Sequence, residues 1–338
     1  MPTGISSASL TLQQYAFQSN EPLIQKIVYS LLDVSSVLND IPFATKGTLK
    51  ANGARIVGGL PAANWRKLNA DSVVASGTAA PFQEQAYILS NLIDIDRLIL
   101  MDQNAVGNPA SVQSDMMLRS WSYDMTDKFF NNNHVTGNAD AWVGIRQRLD
   151  DTTTWGTNSA CKINGSGVDV SNAGLSTANA NTLIRLTDQM LDEMGNPDGD
   201  QVVIYMNRDL RRRFAAAVRQ LGAGGGFDMT QDAFGRRVMT YRNAVVRSVG
   251  VKADQTTEII TSTETAAGAN GASTFTSMYA VNYGEDKFSG WQMTPLQAIN
   301  IGLRPDAPSM YRIFLEWPTG LYQAYTRSIA RVYNIKVS

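Results

Sequence analysis

Residues 108–133, NPASVQSDMMLRSWSYDMTDKFFNNN, carry a helical period. Val112, Met116, Ser120, Tyr123, Asp127 and Phe130 follow at steps of three or four, behind Asn108 as cap and Pro109 in the first turn. Met117, Trp121, Met125 and Phe129 put apolar matter on neighbouring positions, so both flanks are expected to be covered. At 1.5 Å per residue such a helix spans about 33 Å, enough to cross a small domain as a spine.

The pattern around it changes several times. Residues 1–17 are small and polar, an arm without its own core. From Asn20, Leu23, Ile24, Ile27, Val28, Leu31 and Leu32 predict an amphipathic helix ending near Asp33. Residues 41–71 read instead as a two-armed β excursion: Lys46, Thr48 and Lys50 alternate with Gly47, Leu49 and Ala51, and Asn52-Gly53, Gly58-Gly59 and Leu60-Pro61 supply turn chemistry. Its apolar content is too thin for an independent core, and an isolated two-stranded ribbon is marginal in water, so an adjacent copy is expected to support it.

Residues 85–101 predict a strand or strand pair packed on the spine. After the spine, Trp142, Ile145 and Leu149 close a short helical piece, and the Thr-, Asn-, Gly- and Ser-rich residues 151–180 suggest a lobe boundary. The second lobe opens with a helix over 182–194, whose Leu183, Leu186, Met190 and Met194 share a face. Next comes the buried-strand run QVVIYM at 201–206, and then a helix capped by Asn207 with Leu210, Phe214, Val218 and Leu221 on its apolar side. Later strands are expected at 238–241, 258–261, 277–283, 311–317 and 325–337, with a low-complexity loop at 261–276. Helix, strand and helix in that order point to an α+β or α/β lobe with a central sheet.

Composition narrows the function. A chain of 338 residues has ample material for burial and suggests two lobes. With 29 basic against 30 acidic residues, overall charge marks neither a nucleic-acid binder nor a solvated tail. Charged residues make up only 17% of the chain, which hints that much surface is used in contacts. One Cys (Cys161) excludes an internal disulfide and, with one His (His134), a His/Cys metal site; a reducing compartment follows. No signal-peptide pattern and no apolar run long enough for a membrane span occurs.

Catalytic chemistry lacks its parts. GxSxG, HExxH and GxxxxGK[ST] patterns are missing, and the glycine run 222–226 follows a helix end, whereas a dinucleotide loop opens one. His134 has no evident partner and is expected to be solvated. Arg208, Arg211, Arg212, Arg213 and Arg219 form a dense basic run without interleaved aromatic platforms, so an interface or non-specific contact with DNA fits better than sequence recognition.

Taken in order, these segments resemble the major capsid proteins of tailed bacteriophages, the Hong Kong 97 type of α+β fold. Leu60-Pro61 followed by Trp65-Arg66 and Asn69 is similar to the far side of the extended loop in one branch of that family. Gly144-Ile145-Arg146 resembles its post-spine segment, and residues 201–207 its strand before a helix. The resemblance implies an N-terminal arm (1–40), an extended loop (41–78), a peripheral domain with the spine (79–150), an axial domain (151–294) and a C-terminal return to the peripheral domain (295–338). It also implies a structural protein without enzyme activity or cofactor, self-assembling into pentamers and hexamers of an icosahedral head around phage DNA.

Further expectations follow from the resemblance. Assembly would occur in the host cytoplasm and the product would be the virion. Partners would be further copies of the chain, a separate scaffolding protein, a portal and DNA held non-specifically, with no membrane. Contacts between subunits are expected from Lys46, Arg55, Trp65, Arg66, Arg212 and Arg219. Within the same fold the alternative is an encapsulin-like nanocompartment shell; outside it, an α/β enzyme with an unrecognised site.

Overall fold

The computed structural model describes residues 35–56, 61–101, 109–195, 201–222, 227–231, 237–265 and 274–337. The polar arm, the helix expected over 20–33, the Asn108 cap and most of the glycine run lie outside the described residues.

In chain order the first elements are α1 (Ser36–Asp40), β1 (Phe43–Thr45), β2 (Lys50–Ile56), β3 (Ala79–Gln85), β4 (Tyr87–Asp96), α2 (Arg97–Met101) and the spine α3 (Pro109–Asn131). There follow α4 (Ile145–Asp150), α5 (Thr152–Trp155), β5 (Lys162–Asp169), α6 (Thr177–Glu193), β6 (Val202–Met206) and α7 (Arg208–Gln220). The last strands are β7 (Phe227–Gln231), β8 (Arg237–Tyr241), β9 (Ala244–Ser248), β10 (Phe275–Asn282), β11 (Phe288–Gln292), β12 (Gln297–Leu303), β13 (Met310–Gln323) and β14 (Ile329–Lys336). They form three sheets: β5-β14-β10-β6-β9-β8-β7, β1-β11-β13-β12 with β4 also on β13, and the ribbon β2-β3.

The spine is where the sequence placed it, but its buried face is rotated. Ser114, Leu118, Trp121, Met125 and Phe129 are buried, whereas Val112 and Met116 are 44% and 61% exposed. Among the described residues only one flank is covered, against the inner face of the five-stranded sheet, where Ile93 lies opposite Ile313 and Leu89 opposite Trp317. Helical spacing alone could not choose between two stripes of similar apolar content. At its C-terminal end Phe130 meets Tyr205 and Tyr279 of the seven-stranded sheet, with ring centroids 5.5 and 5.3 Å apart. The two lobes therefore share one continuous apolar core. Trp121→Ala should lower stability by about 3–5 kcal/mol through lost contacts and a residual cavity. An unchanged denaturant midpoint would show that Trp121 is not a core residue.

The elements of the second lobe follow the expected order. Asn207 caps α7 by accepting from the Leu210 N–H at 2.7 Å, and Ser176 caps α6. Leu183, Leu186, Met190 and Met194 are all buried. The Gly- and Ser-rich stretch after the spine holds β5, whose buried positions Ile163, Gly165 and Val168 alternate with more exposed ones but carry too little apolar matter to mark a strand in sequence. Residues 258–261 make only an isolated bridge, Val251 with Glu258, and no strand. The closing segment divides: β12 and β13 join the five-stranded sheet, but β14 lies inside the seven-stranded one, contrary to the return expected for 295–338. Its near-continuous burial explains the placement, since a central strand needs apolar residues on both faces.

The junction after the arm contains a buried carboxylate. Asp40, the last residue of α1, pairs with Arg247 at 2.8 Å and accepts from the Tyr205 hydroxyl at 2.8 Å, which in turn lies 2.9 Å from that of Tyr283. Desolvation outweighs these partners and pushes the Asp40 carboxyl up to about 6. Between pH about 4 and 6 the folded chain retains a proton that the unfolded chain has released, so stability must fall as pH rises through this window. Measured against Asp40→Asn, the wild type should lose roughly 1–3 kcal/mol on going from pH about 4 to 7. A pH-independent difference would contradict the assignment.

Candidate assembly surface

The β excursion is longer than expected, because its second arm is β3 and not residues before Asp71. Asn52-Gly53 is no turn: Gly53 sits within β2 opposite Phe82. A Cβ there would come within 2.6 Å of the Phe82 ring, so glycine lets that ring and Tyr322 close over the strand.

The ribbon is anchored to the body by a buried charge triad. Glu84 on β3 receives a bidentate pair from Arg148 of α4, Nη1 at 2.7 Å and Nη2 at 3.0 Å. Arg55 of β2 reaches the same carboxylate at 3.2 Å and donates to the carbonyls of Gln323 at 2.9 Å and Trp155 at 2.5 Å. Its guanidinium also lies 3.8 Å from the Phe82 ring centroid. All three side chains are buried. Burial works against the charge on Arg55, offset in part by Glu84. Two cations and one anion in a dry site require this geometry, so the triad fixes how the ribbon leaves the body.

Beyond the root, support ends. Residues 61–79 are exposed, including Trp65 at 100%, Leu68 at 91% and Val74 at 94%. Exposed apolar groups gathered at one loop tip mark an interaction site rather than scattered surface.

The six residues predicted for contacts are not brought together. Lys46 is exposed at the ribbon root, its Nζ 4.2 Å from the Tyr322 ring centroid. Arg55 is 6% exposed, and its partners Gln323, Trp155 and Glu84 lie in its own chain. Trp65 and Arg66 occupy the tip, where Arg66 donates to the Ala70 carbonyl at 3.1 Å. Arg212 and Arg219 lie in the other lobe on the exposed side of α7, Arg212 paired with Asp209 at 2.8 Å. Arg213 turns aside to Asn172. Neutralising Arg212 and Arg219 together should leave subunit stability within about 0.5 kcal/mol, as for exposed positions generally. Unfolding of the double variant would place them in an intramolecular network.

Glu84 and Arg148 escaped the sequence reading. The available signal was a charged residue at the third position after Ile145, on the same face of a short helix as an apolar anchor, which implies a buried partner. His134 departs from expectation in the same region: it is half-buried, its ring donates to the Ala141 carbonyl at 2.7 Å, and it stands edge-on to Tyr87.

An extended ribbon, a long spine under a five-stranded sheet and a separate seven-stranded lobe now meet a sequence match. Residues 19–173 match the family described as Major capsid protein GP7, a span that includes ribbon, β4, spine and α4. This is a fold of the Hong Kong 97 type. The family so matched is one of structural proteins.

Solved structures agree on the fold. The capsid of a native GTA particle superposes with a TM-score of 0.58 at 11% identity, covering 90% of this chain and 91% of that one. For a structure of Microbacterium phage Oxtober96 the TM-score is 0.54 at 11% identity, with 90% and 91% covered. The SrpI encapsulin of Synechococcus elongatus PCC 7942 gives 0.57 at 9% identity, with 88% and 86% covered. No curated protein matches the chain by sequence.

Proposed function

We propose that the protein is the major capsid subunit of a tailed phage, assembling as pentamers and hexamers into an icosahedral head around DNA. The match of residues 19–173 to a major capsid family carries this proposal. In this reading residues 79–150 with β11 to β13 form the peripheral domain and the seven-stranded lobe the axial domain. Lys46, Trp65 and Arg66, with Arg212 and Arg219, face neighbouring copies or the packaged DNA. Mechanism here means complementarity between copies: the ribbon, held at its root by Glu84, presents apolar groups that only a second subunit can cover. A scaffolding protein and a portal would be separate chains, and DNA would be retained without sequence recognition.

Likeness to an encapsulin supports a second reading, a nanocompartment filled with protein cargo. Negative-stain microscopy of the purified chain should show uniform closed particles or six-fold rings. Particles isolated from the source should then hold nuclease-protected DNA. A cargo protein in its place would establish the compartment, and a compact monomer under all conditions would overturn both readings.

A further inference from the structure

The five-stranded sheet ends on one side in an open edge. β4 pairs along its whole length with β13 and with no other described strand, so the opposite row of its backbone N–H and C=O groups is unpaired within the sheet. Beside that edge lies a cavity of about 240 Å3 between β4, the spine and the loop before α4. Buried Met125 and Trp142 contribute to its floor and exposed Ile88 to its rim. Asp124 and Asp140 stand at the polar side with Lys128, leaving a net negative mouth. Sites for drug-sized ligands run from about 300 Å3 upward, so this space suits one large side chain better than a cofactor.

The hairpin tip has the complementary properties. Trp65 is fully exposed, and Arg66 and Lys67 follow it against Asp71 alone, so the segment is net positive. Residues 72–78 belong to no helix or strand and have no partner strand among the described residues. Trp65 of the same chain is fully exposed to solvent, so it does not fill the cavity.

We propose that the cavity beside β4 receives Trp65 from the hairpin tip of a second copy, with Arg66 and Lys67 of that copy set against Asp124 and Asp140. The inference rests on the shell reading and names the seat that the tip occupies. A tryptophan inserted into a pocket beside a charged rim has the anatomy of an interface anchor, and an open strand edge next to it can take extended backbone as an added strand.

The test uses the wild-type chain as isolated subunits and as particles, treated with a water-soluble carbodiimide that joins an amine to a carboxylate in direct contact. The expected product is a link between Lys67 and Asp124 or Asp140, found by peptide mass spectrometry in particles and missing from subunits. Trp65→Ala should raise the subunit concentration needed for assembly at least about tenfold, as expected for an interface anchor. Ser90→Phe, which fills the cavity from its own side, should do the same with an unchanged subunit melting curve. Particles in which Lys67 is linked elsewhere, or in which Lys26 of the arm is linked to Asp124 or Asp140, would overturn the docking and leave the shell reading standing. Normal assembly of Trp65→Ala would overturn it too. A chain that forms no particles contradicts the shell reading itself and the docking with it.

Discussion

Glu84→Gln should destabilise the isolated subunit by roughly 3–5 kcal/mol, the cost of leaving buried cations without their counter-charge. Glu84 is 4% exposed and is the shared acceptor for Arg148 and Arg55, which are themselves buried. The amide keeps the shape and can still accept one hydrogen bond, so the loss reports charge rather than packing. Replacing all three residues together, Arg55→Met, Glu84→Leu and Arg148→Met, should recover much of that loss, because an apolar cluster needs no desolvated ions. The triple variant should nevertheless lose the fixed angle of the ribbon and assemble poorly. A denaturant midpoint for Glu84→Gln within error of wild type would show that the triad is wet and does not hold the root.

Removing residues 62–75 and closing the chain with a short glycine turn should leave the subunit folded and abolish particles. These residues are exposed, and their few described contacts stay within the segment, such as Arg66 with the Ala70 carbonyl. Deleting exposed loop residues far from the core costs little stability, so the melting curve is expected to stay close to wild type. Assembly is a different matter, since the deletion removes Trp65, Leu68 and Val74 together. Microscopy and a thermal melt on the same preparation separate the two effects. Normal particles from the deletion would mean that the tip is dispensable surface.

Local rules in the sequence located the elements whose signals are local. Caps and apolar spacing placed α6 and α7, and the QVVIYM run placed β6, because each buries one well-marked face or is buried throughout. The spine was found by its period, yet its facing was misjudged, since Val112 and Met116 look as apolar in sequence as Leu118 and Met125 do. Which stripe is buried depends on the sheet that packs against it, assembled from β4 and from strands some two hundred residues later. Asn52-Gly53 looked like a turn and proved to be a close approach of Phe82 and Tyr322. The assembly surface was legible only in part. Thin apolar content marked the ribbon as unable to stand alone, but nothing local announces that Arg55, Glu84 and Arg148 meet, because the contacts link positions 29 and 64 apart in sequence. Arg55 therefore read as a surface cation when it is a buried anchor.

Hydrogen exchange on isolated subunits and on closed particles tests the central claim, that the hairpin tip gains its order from a neighbouring copy. Amides of residues 61–78 should exchange rapidly in subunits, where the segment has almost no backbone hydrogen bonds, and become protected in particles. Those of Val202–Met206 should be protected in both, since β6 is paired on both sides within its own chain. Equal exchange of residues 61–78 in the two preparations, with β6 behaving as stated, would contradict the account.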